Sequence, residues 1–280
     1  MRLAHVSDLH FGAIEPGRPD ALRRALEQVA PDLLVVSGDL SQRGTEVEMK
    51  EAMEFLKTLS QPQFIVPGNH DIPHGHHLWA RFKQTWRTYR KVVAVDLEPV
   101  WQNDEVAIIG ANSVRAGGWY LDWSRGHLSR EQLRRIAACC EQLPEQLLRV
   151  LVVHHPPAAP PQGTRRHLLD RRKRFFSALN DVGVDLVMCG HFHMSYAVPL
   201  MLPGNLRRAC VLSVASTATS YRLEGEPNGF HVIDVPATKN RMDIQAWQWE
   251  EQRGAFRPAS QWSFQRHVWR HWTVTRERLA

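Results

Sequence analysis

The sequence predicts an α/β fold. The first third alternates apolar runs of strand length with segments whose apolar residues recur at helical spacing. Several of those runs lie between breakers and lack polar alternation, which marks strands buried on both faces. With 280 residues, 43% hydrophobic and 23% charged, the chain can build one large core, and wholesale disorder is excluded.

Arg2–Ser7 reads as a strand. Over Pro19–Ala30, Leu22, Ala25, Leu26 and Val29 fall on one helical face. Leu33–Ser37 is a second strand, Thr45–Leu59 a helix striped by Val47, Met49, Ala52, Met53, Leu56 and Leu59, and Gln63–Val66 a third strand. This β-α-β-α-β order calls for parallel strands joined by right-handed crossovers. His76–Lys91 is an expected helix, and Val92–Leu97 and Glu105–Gly110 are expected strands. Ser129 with Gln132 forms a capping box ahead of Leu133, Ile136, Cys140 and Leu143. Arg149–Val153 and Val184–Cys189 are short buried strands around a basic helical stretch, Asp170–Val182. After His193 the signals are strands: Ala209–Ala215, Gly229–Val235 and Asp243–Trp249. In Trp262–Trp272 neither the two-residue nor the 3.6-residue period fits, and residues 236–280 read as a Trp/Arg-rich strand and tail packed on the same domain.

The amino terminus meets Asp8 before any apolar stretch, so no signal peptide is expected, and no run approaches the roughly 18–20 residues of a membrane span. Cys139, Cys140, Cys189 and Cys210 have no zinc-finger or disulfide spacing. A cytoplasmic location is the expectation. The net charge of +6 favours anionic partners mildly. Fifteen histidines are the odder count, because histidine is both an acid–base group and a metal ligand.

Five short motifs end predicted strands: Asp8-Leu-His10, Gly38-Asp39, Gly68-Asn69-His70-Asp71, His154-His155-Pro156 and Gly190-His191-Phe192-His193. Sites in open α/β sheets form beyond strand carboxyl ends, so all five can converge on one crevice. In Asp8-Leu-His10 and His191-Phe-His193 the polar residues are two apart, so extended backbone would point both to one face. Carboxylate, imidazole and amide oxygen together suit Mn, Fe, Zn or Co better than Mg or Ca. Two aspartates, one asparagine and four histidines are too many for one ion and suit two divalent ions.

These motifs, in this order, resemble the calcineurin-like metallophosphoesterase superfamily over roughly residues 1–235, and Gly38-Asp-Leu-Ser-Gln-Arg-Gly44 resembles its bacterial cyclic-nucleotide phosphodiesterase branch. The fold this implies is a four-layer α/β/β/α sandwich of two mixed sheets, with a dimetal site at the carboxyl edge of the strands. The resemblance assigns Asp8, His10 and His193 to one metal, Asn69, His154 and His191 to the other, and Asp39 to both. It makes His70 the catalytic histidine and Asp71 the carboxylate that orients it. The reaction it implies is hydrolysis of a phosphodiester by in-line attack of a hydroxide shared by two ions about 3.5–4 Å apart. His155, Asn112 and His74 are candidates for substrate contact.

A phosphorylated small molecule, a cyclic nucleotide above all, is the expected substrate. The alternative enzyme reading is a pyrophosphohydrolase of a UDP-sugar lipid precursor of lipid A. That substrate would suit membrane contact through the Trp/Arg tail. A non-catalytic interaction protein on the same scaffold is the alternative of another class, and an oligomer is compatible with either. The basic runs at 165–174 and 207–208 read first as solvated faces, and without interleaved aromatics they do not predict a stable nucleic-acid complex.

Overall fold

The computed structural model describes residues 1–73, 83–116, 124–160, 167–201, 209–220, 225–235, 240–266 and 272–279. The strands are β1 (Arg2–Val6), β2 (Leu33–Val36), β3 (Gln63–Ile65), β4 (Val100–Gln102), β5 (Val106–Gly110), β6 (Leu148–Val152) and β7 (Leu186–Cys189). They continue with β8 (Tyr196–Met201), β9 (Ala209–Val214), β10 (Gly229–Asp234), β11 (Arg241–Glu250), β12 (Ala255–Arg266) and β13 (Trp272–Arg278). Helices are α1 (Arg18–Val29), α2 (Glu46–Lys57), α3 (Arg87–Val92), α4 (Arg130–Gln142) and α5 (Arg172–Val182).

One sheet runs β13-β12-β11-β10-β1-β2-β3 and the other β4-β5-β6-β7-β9-β8. The β1-β2-β3 and β5-β6-β7-β9 stretches are parallel, and antiparallel strands extend them. Strand side chains alternate between faces, so each sheet feeds two cores. Leu3, Val35, Phe64, Val150, Leu186, Trp262 and Phe264 fill the space between the sheets. Val6 and Val36 face the other way, onto Leu22 and Leu26 of α1 and Met49 and Leu56 of α2. Leu151 and Val187 face Ile136 and Cys140 of α4 and Phe175 and Leu179 of α5. The result is the expected four-layer α/β/β/α sandwich. The capping box of α4 forms as the sequence predicts, and Thr45 with Glu48 builds another on α2.

Four expectations change. Residues 92–97 are not a strand: α3 runs to Val92, and Val93 and Ala94 pack into the helix-side core without a sheet partner. Of the predicted helix His76–Lys91, residues 76–82 lie outside the described residues, and the ordered helix is α3. β8 went unpredicted because Pro199 interrupts it, which an edge strand tolerates. The carboxyl-terminal stretch, expected as a strand and a packed tail, holds three strands among the described residues. β11, β12 and β13 continue β10 as antiparallel hairpins, and a register shift at Ala246/Trp247 accommodates Pro258. Among the described residues no helix is long and apolar enough to cross a membrane.

Candidate dimetal site

The carboxyl ends of β1, β2 and β3 meet those of β6 and β7 along one edge of the sandwich. Asp8 and His10 follow β1, Asp39 follows β2, Asn69 opens a 3-10 turn (Asn69–Asp71) after β3, His154 follows β6, and His191 and His193 follow β7. All seven predicted donors therefore arrive at one place, from both sheets.

His10 Nε2 and His193 Nε2 face each other at 3.1 Å. Asp8 Oδ1 lies 3.3 Å from His193 Nε2 and 3.7 Å from His10 Nε2. Asp39 Oδ2 is 3.1 Å from His154 Nε2 and 3.8 Å from His10 Nε2, so one carboxylate oxygen faces both histidine groups. Asn69 Oδ1 lies 3.0 Å from His154 Nε2. His154 Nδ1 donates to the Ser37 carbonyl at 2.8 Å, which leaves Nε2 as the lone-pair nitrogen on the site side. Backbone N–H groups hold the carboxylates from behind: His191 N–H donates to Asp8 Oδ2 at 3.0 Å and His70 N–H to Asp39 Oδ1 at 2.8 Å.

The backbone is strained at these donors. Asp8 (φ 53°), His10 (48°), Asp39 (56°), His191 (75°) and His193 (54°) are five of the eight non-glycine residues with positive φ among the described residues. Such strain clusters at functional sites because the surrounding fold must impose it. The expected extended backbone at Asp8-Leu-His10 is thus replaced by left-handed turns, although Leu9 is still fully buried. The glycines leave room: a Cβ on Gly68 would collide with Asp39, and one on Gly190 with Ser7 and Asp8.

Burial alone would raise the Asp8 carboxyl, but hydrogen bonds from His10 and His193 hold it well below the usual range. Asp39 is likewise held low against its burial, by the fields of His154 and His70. Burial pulls His154 down, yet Asp39 pushes it up to about 9. His191, desolvated and next to His154, drops to about 3. Two ionised carboxylates without exposed surface, facing imidazole nitrogens that also face one another, form a donor set that fits cations of the borderline divalent kind. The groupings that can hold an ion include Asp8–His10–His193 and Asp8–Asp39–His154.

His70 stands edge-on to His10, with ring centroids 4.7 Å apart. The expected pairing with Asp71 does not form. His70 Nδ1 instead donates to the Gln42 carbonyl at 2.8 Å. Asp71 is wholly buried and accepts from Ser41 N–H (3.0 Å), Ser41 Oγ–H (3.1 Å) and Gly68 N–H (2.9 Å). It pins the two loops on which His70 and Gln42 sit, and burial together with the neighbouring Asp39 raises its carboxyl to about 7. Asn112 Oδ1 accepts Val114 N–H at 3.0 Å in a turn. His155 lies in the site wall, its ring 4.5 Å from that of His191. His74 lies outside the described residues. His167, read in the sequence only as part of a basic run, stands 6.3 Å from His191; its isolated place in a loop gave no signal.

Fold and side-chain cluster together define a two-sheet α/β scaffold with a candidate metal site at its strand ends. Residues 1–195 match the model of the calcineurin-like phosphoesterases, and the chain belongs to that family. A probable glycerophosphodiester phosphodiesterase of Arcobacter nitrofigilis is 29% identical over 58% of this chain and 57% of its own length. A 3',5'-cyclic-nucleotide phosphodiesterase of Nostoc sp. is 23% identical over 82% of each chain. The aligned stretches of the first curated relatives span 30% to 57% of those proteins. Among solved structures, a purple acid phosphatase from yellow lupin (Lupinus luteus) seeds superposes with a TM-score of 0.69 at 12% identity, covering 96% of this chain and 54% of that one. At that identity it shows the fold.

Proposed function

We propose that this protein hydrolyses a phosphodiester in a small nucleotide, a cyclic nucleoside monophosphate first, with two divalent ions held by Asp8, His10, Asp39, Asn69, His154, His191 and His193. The observation that carries this reading is the convergence of those seven donors from two sheets with the His70 imidazole beside them. When bound, such ions supply Lewis-acid activation of water and of phosphoryl oxygens. Asp39, facing both histidine groups through one oxygen, is the shared carboxylate. His70 protonates the departing oxygen through Nε2. Its Nδ1 hydrogen bond to the Gln42 carbonyl fixes the orientation of the ring.

The cyclic-nucleotide and glycerophosphodiester relatives support a small diester. The lipid-linked pyrophosphate gains no support from the tail. Trp247 stacks on Phe230, Trp262 lies between the sheets and Trp249 packs under Arg18, so these indoles do not form a membrane patch.

A panel with added Mn²⁺ tests the reading, comparing bis-p-nitrophenyl phosphate, p-nitrophenyl phosphate, cyclic AMP, a glycerophosphodiester and a UDP-linked lipid. The expected order puts both small diesters above the monoester, without a need for detergent. Preference for the monoester or the lipid would sink it.

A further inference from the structure

His155 is fully buried and is not among the seven donors. Its Nδ1 meets Ser113 Oγ at 2.8 Å, while its Nε2 has no hydrogen-bond partner among the described residues. A buried polar atom left unpaired costs about 1–3 kcal/mol, so native structures keep few of them without a reason. The surroundings supply one. The His155 ring lies 5.0 Å from that of His154 and 4.5 Å from that of His191, and one nitrogen of each of the three lies within 4.8 Å of the other two. A Cβ on Gly126 would strike the His155 ring, so the loop carrying Gly126 presses against it and limits its rotation.

The arrangement resembles that of His154, whose Nδ1–H donates to a carbonyl; the Ser113 hydroxyl accepts the His155 backbone N–H at 3.3 Å, and where it accepts Nδ1–H as well the Nε2 lone pair is left free. Anchoring one ring nitrogen so that the other presents its lone pair is how proteins prepare a ligating histidine. A side chain with no exposed surface has no open path to substrate, which favours an ion within the wall over a phosphoryl oxygen.

We propose that His155 Nε2 is a further ligand of the ion held by Asn69, His154 and His191. This rests on the dimetal reading above. It makes the two positions chemically unequal: three imidazoles on one, against Asp8, His10 and His193 on the other, with Asp39 shared. Imidazole suits Zn, Fe and Co, whereas carboxylate and water suit Mn. The nitrogen-rich position therefore discriminates against Mn²⁺ more strongly than its neighbour.

The test follows the ring nitrogens of the full-length, ¹⁵N-histidine-labelled protein during Zn²⁺ titration, beside Co²⁺ binding isotherms of wild type and His155→Gln. Five unprotonated ring nitrogens should take up coordination shifts, those of His10, His154, His155, His191 and His193. His155→Gln should weaken one of the two Co²⁺ steps by about tenfold or more and leave the other within twofold. Four shifted nitrogens, or two unchanged Co²⁺ steps in the variant, would overturn the assignment while leaving two ions in place. If wild type binds no ion, the dimetal reading itself falls. Should His155→Gln fail to fold by circular dichroism, the wild-type nitrogen count decides.

Discussion

Asp39 and His70 sit side by side, yet their loss should look quite different. Asp39 Oδ2 faces His10 and His154 from one point while Oδ1 accepts the His70 N–H. Asp39→Ala removes the carboxylate assigned to both ions, and the protein should lose metal, read by elemental analysis after gel filtration. His70→Ala should keep two ions and slow turnover of bis-p-nitrophenyl phosphate by about 10²–10⁴-fold. Full activity in both variants would dismantle the site. Asp71 separates two structural accounts of the same motif. Because it holds Ser41 and Gly68 and not the His70 ring, Asp71→Ala should cost on the order of 3 kcal/mol of stability, by urea denaturation. The alkaline limb of any remaining pH–rate profile, which reports the general acid, should stay in place; a shifted limb would restore the direct His70–Asp71 pairing. The donors were legible because each polar residue follows an apolar run. The partner of His70 was not, since a backbone carbonyl carries no mark in composition. Nor did the left-handed turns at Asp8 and His10 announce themselves, because the glycine that usually marks such a conformation is missing.

The strands carry a second buried polar arrangement that the chemistry does not use. His5 on β1 reaches Ser37 Oγ (2.9 Å) and Ser213 Oγ (3.4 Å), and His231 on β10 reaches Ser213 Oγ and Ser195 Oγ, each at 2.8 Å. Ser213 lies on β9, so these bonds tie the two sheets together at the ends near the site. Burial lowers both imidazoles, His231 to about 3. A lowered histidine binds fewer protons folded than unfolded, so its contribution to stability is complete above about pH 6.5 and is lost as pH falls toward 3. The metal-free protein in EDTA should therefore lose up to about 1.4 kcal/mol per pH unit for each of the two histidines as pH falls from 6.5. His231→Asn should flatten that slope in urea titrations at pH 7, 6 and 5; an unchanged slope would count against the depressed value. The carboxyl-terminal strands show why some elements escaped the sequence. Ser260, Trp262 and Phe264 alternate inward as a strand requires. The window from Trp262 to Trp272 instead spans the end of β12 and the start of β13, where no single period can hold.

At the scale of the whole molecule, the donors divide between the sheets: Asp8, His10, Asp39 and Asn69 come from one, His154, His191 and His193 from the other. Ions bound there would cross-link two layers that also meet through an apolar seam, the His5–Ser213–His231 bonds, and the Arg266–Asp185 and Met1–Glu105 ion pairs. The net charge of +6 thus says less about partners than it first suggests, because two of the 29 acidic residues are committed to the site and the ions add positive charge of their own. Binding that favours the folded state stabilises it by about 2.7 kcal/mol for each ion present at a hundred times its Kd. Two such ions give about 5 kcal/mol. A chain of this size gains roughly 2–4 °C for each kcal/mol, so chelation should lower Tm by about 10–20 °C, measured by calorimetry with and without EDTA. Because Asp39 serves both positions, Asp39→Ala should already have the lower Tm and respond little to EDTA. A wild-type shift below about 2 °C, with two bound ions verified beforehand, would mean that the unfolded chain binds the ions nearly as well and that they do not join the sheets.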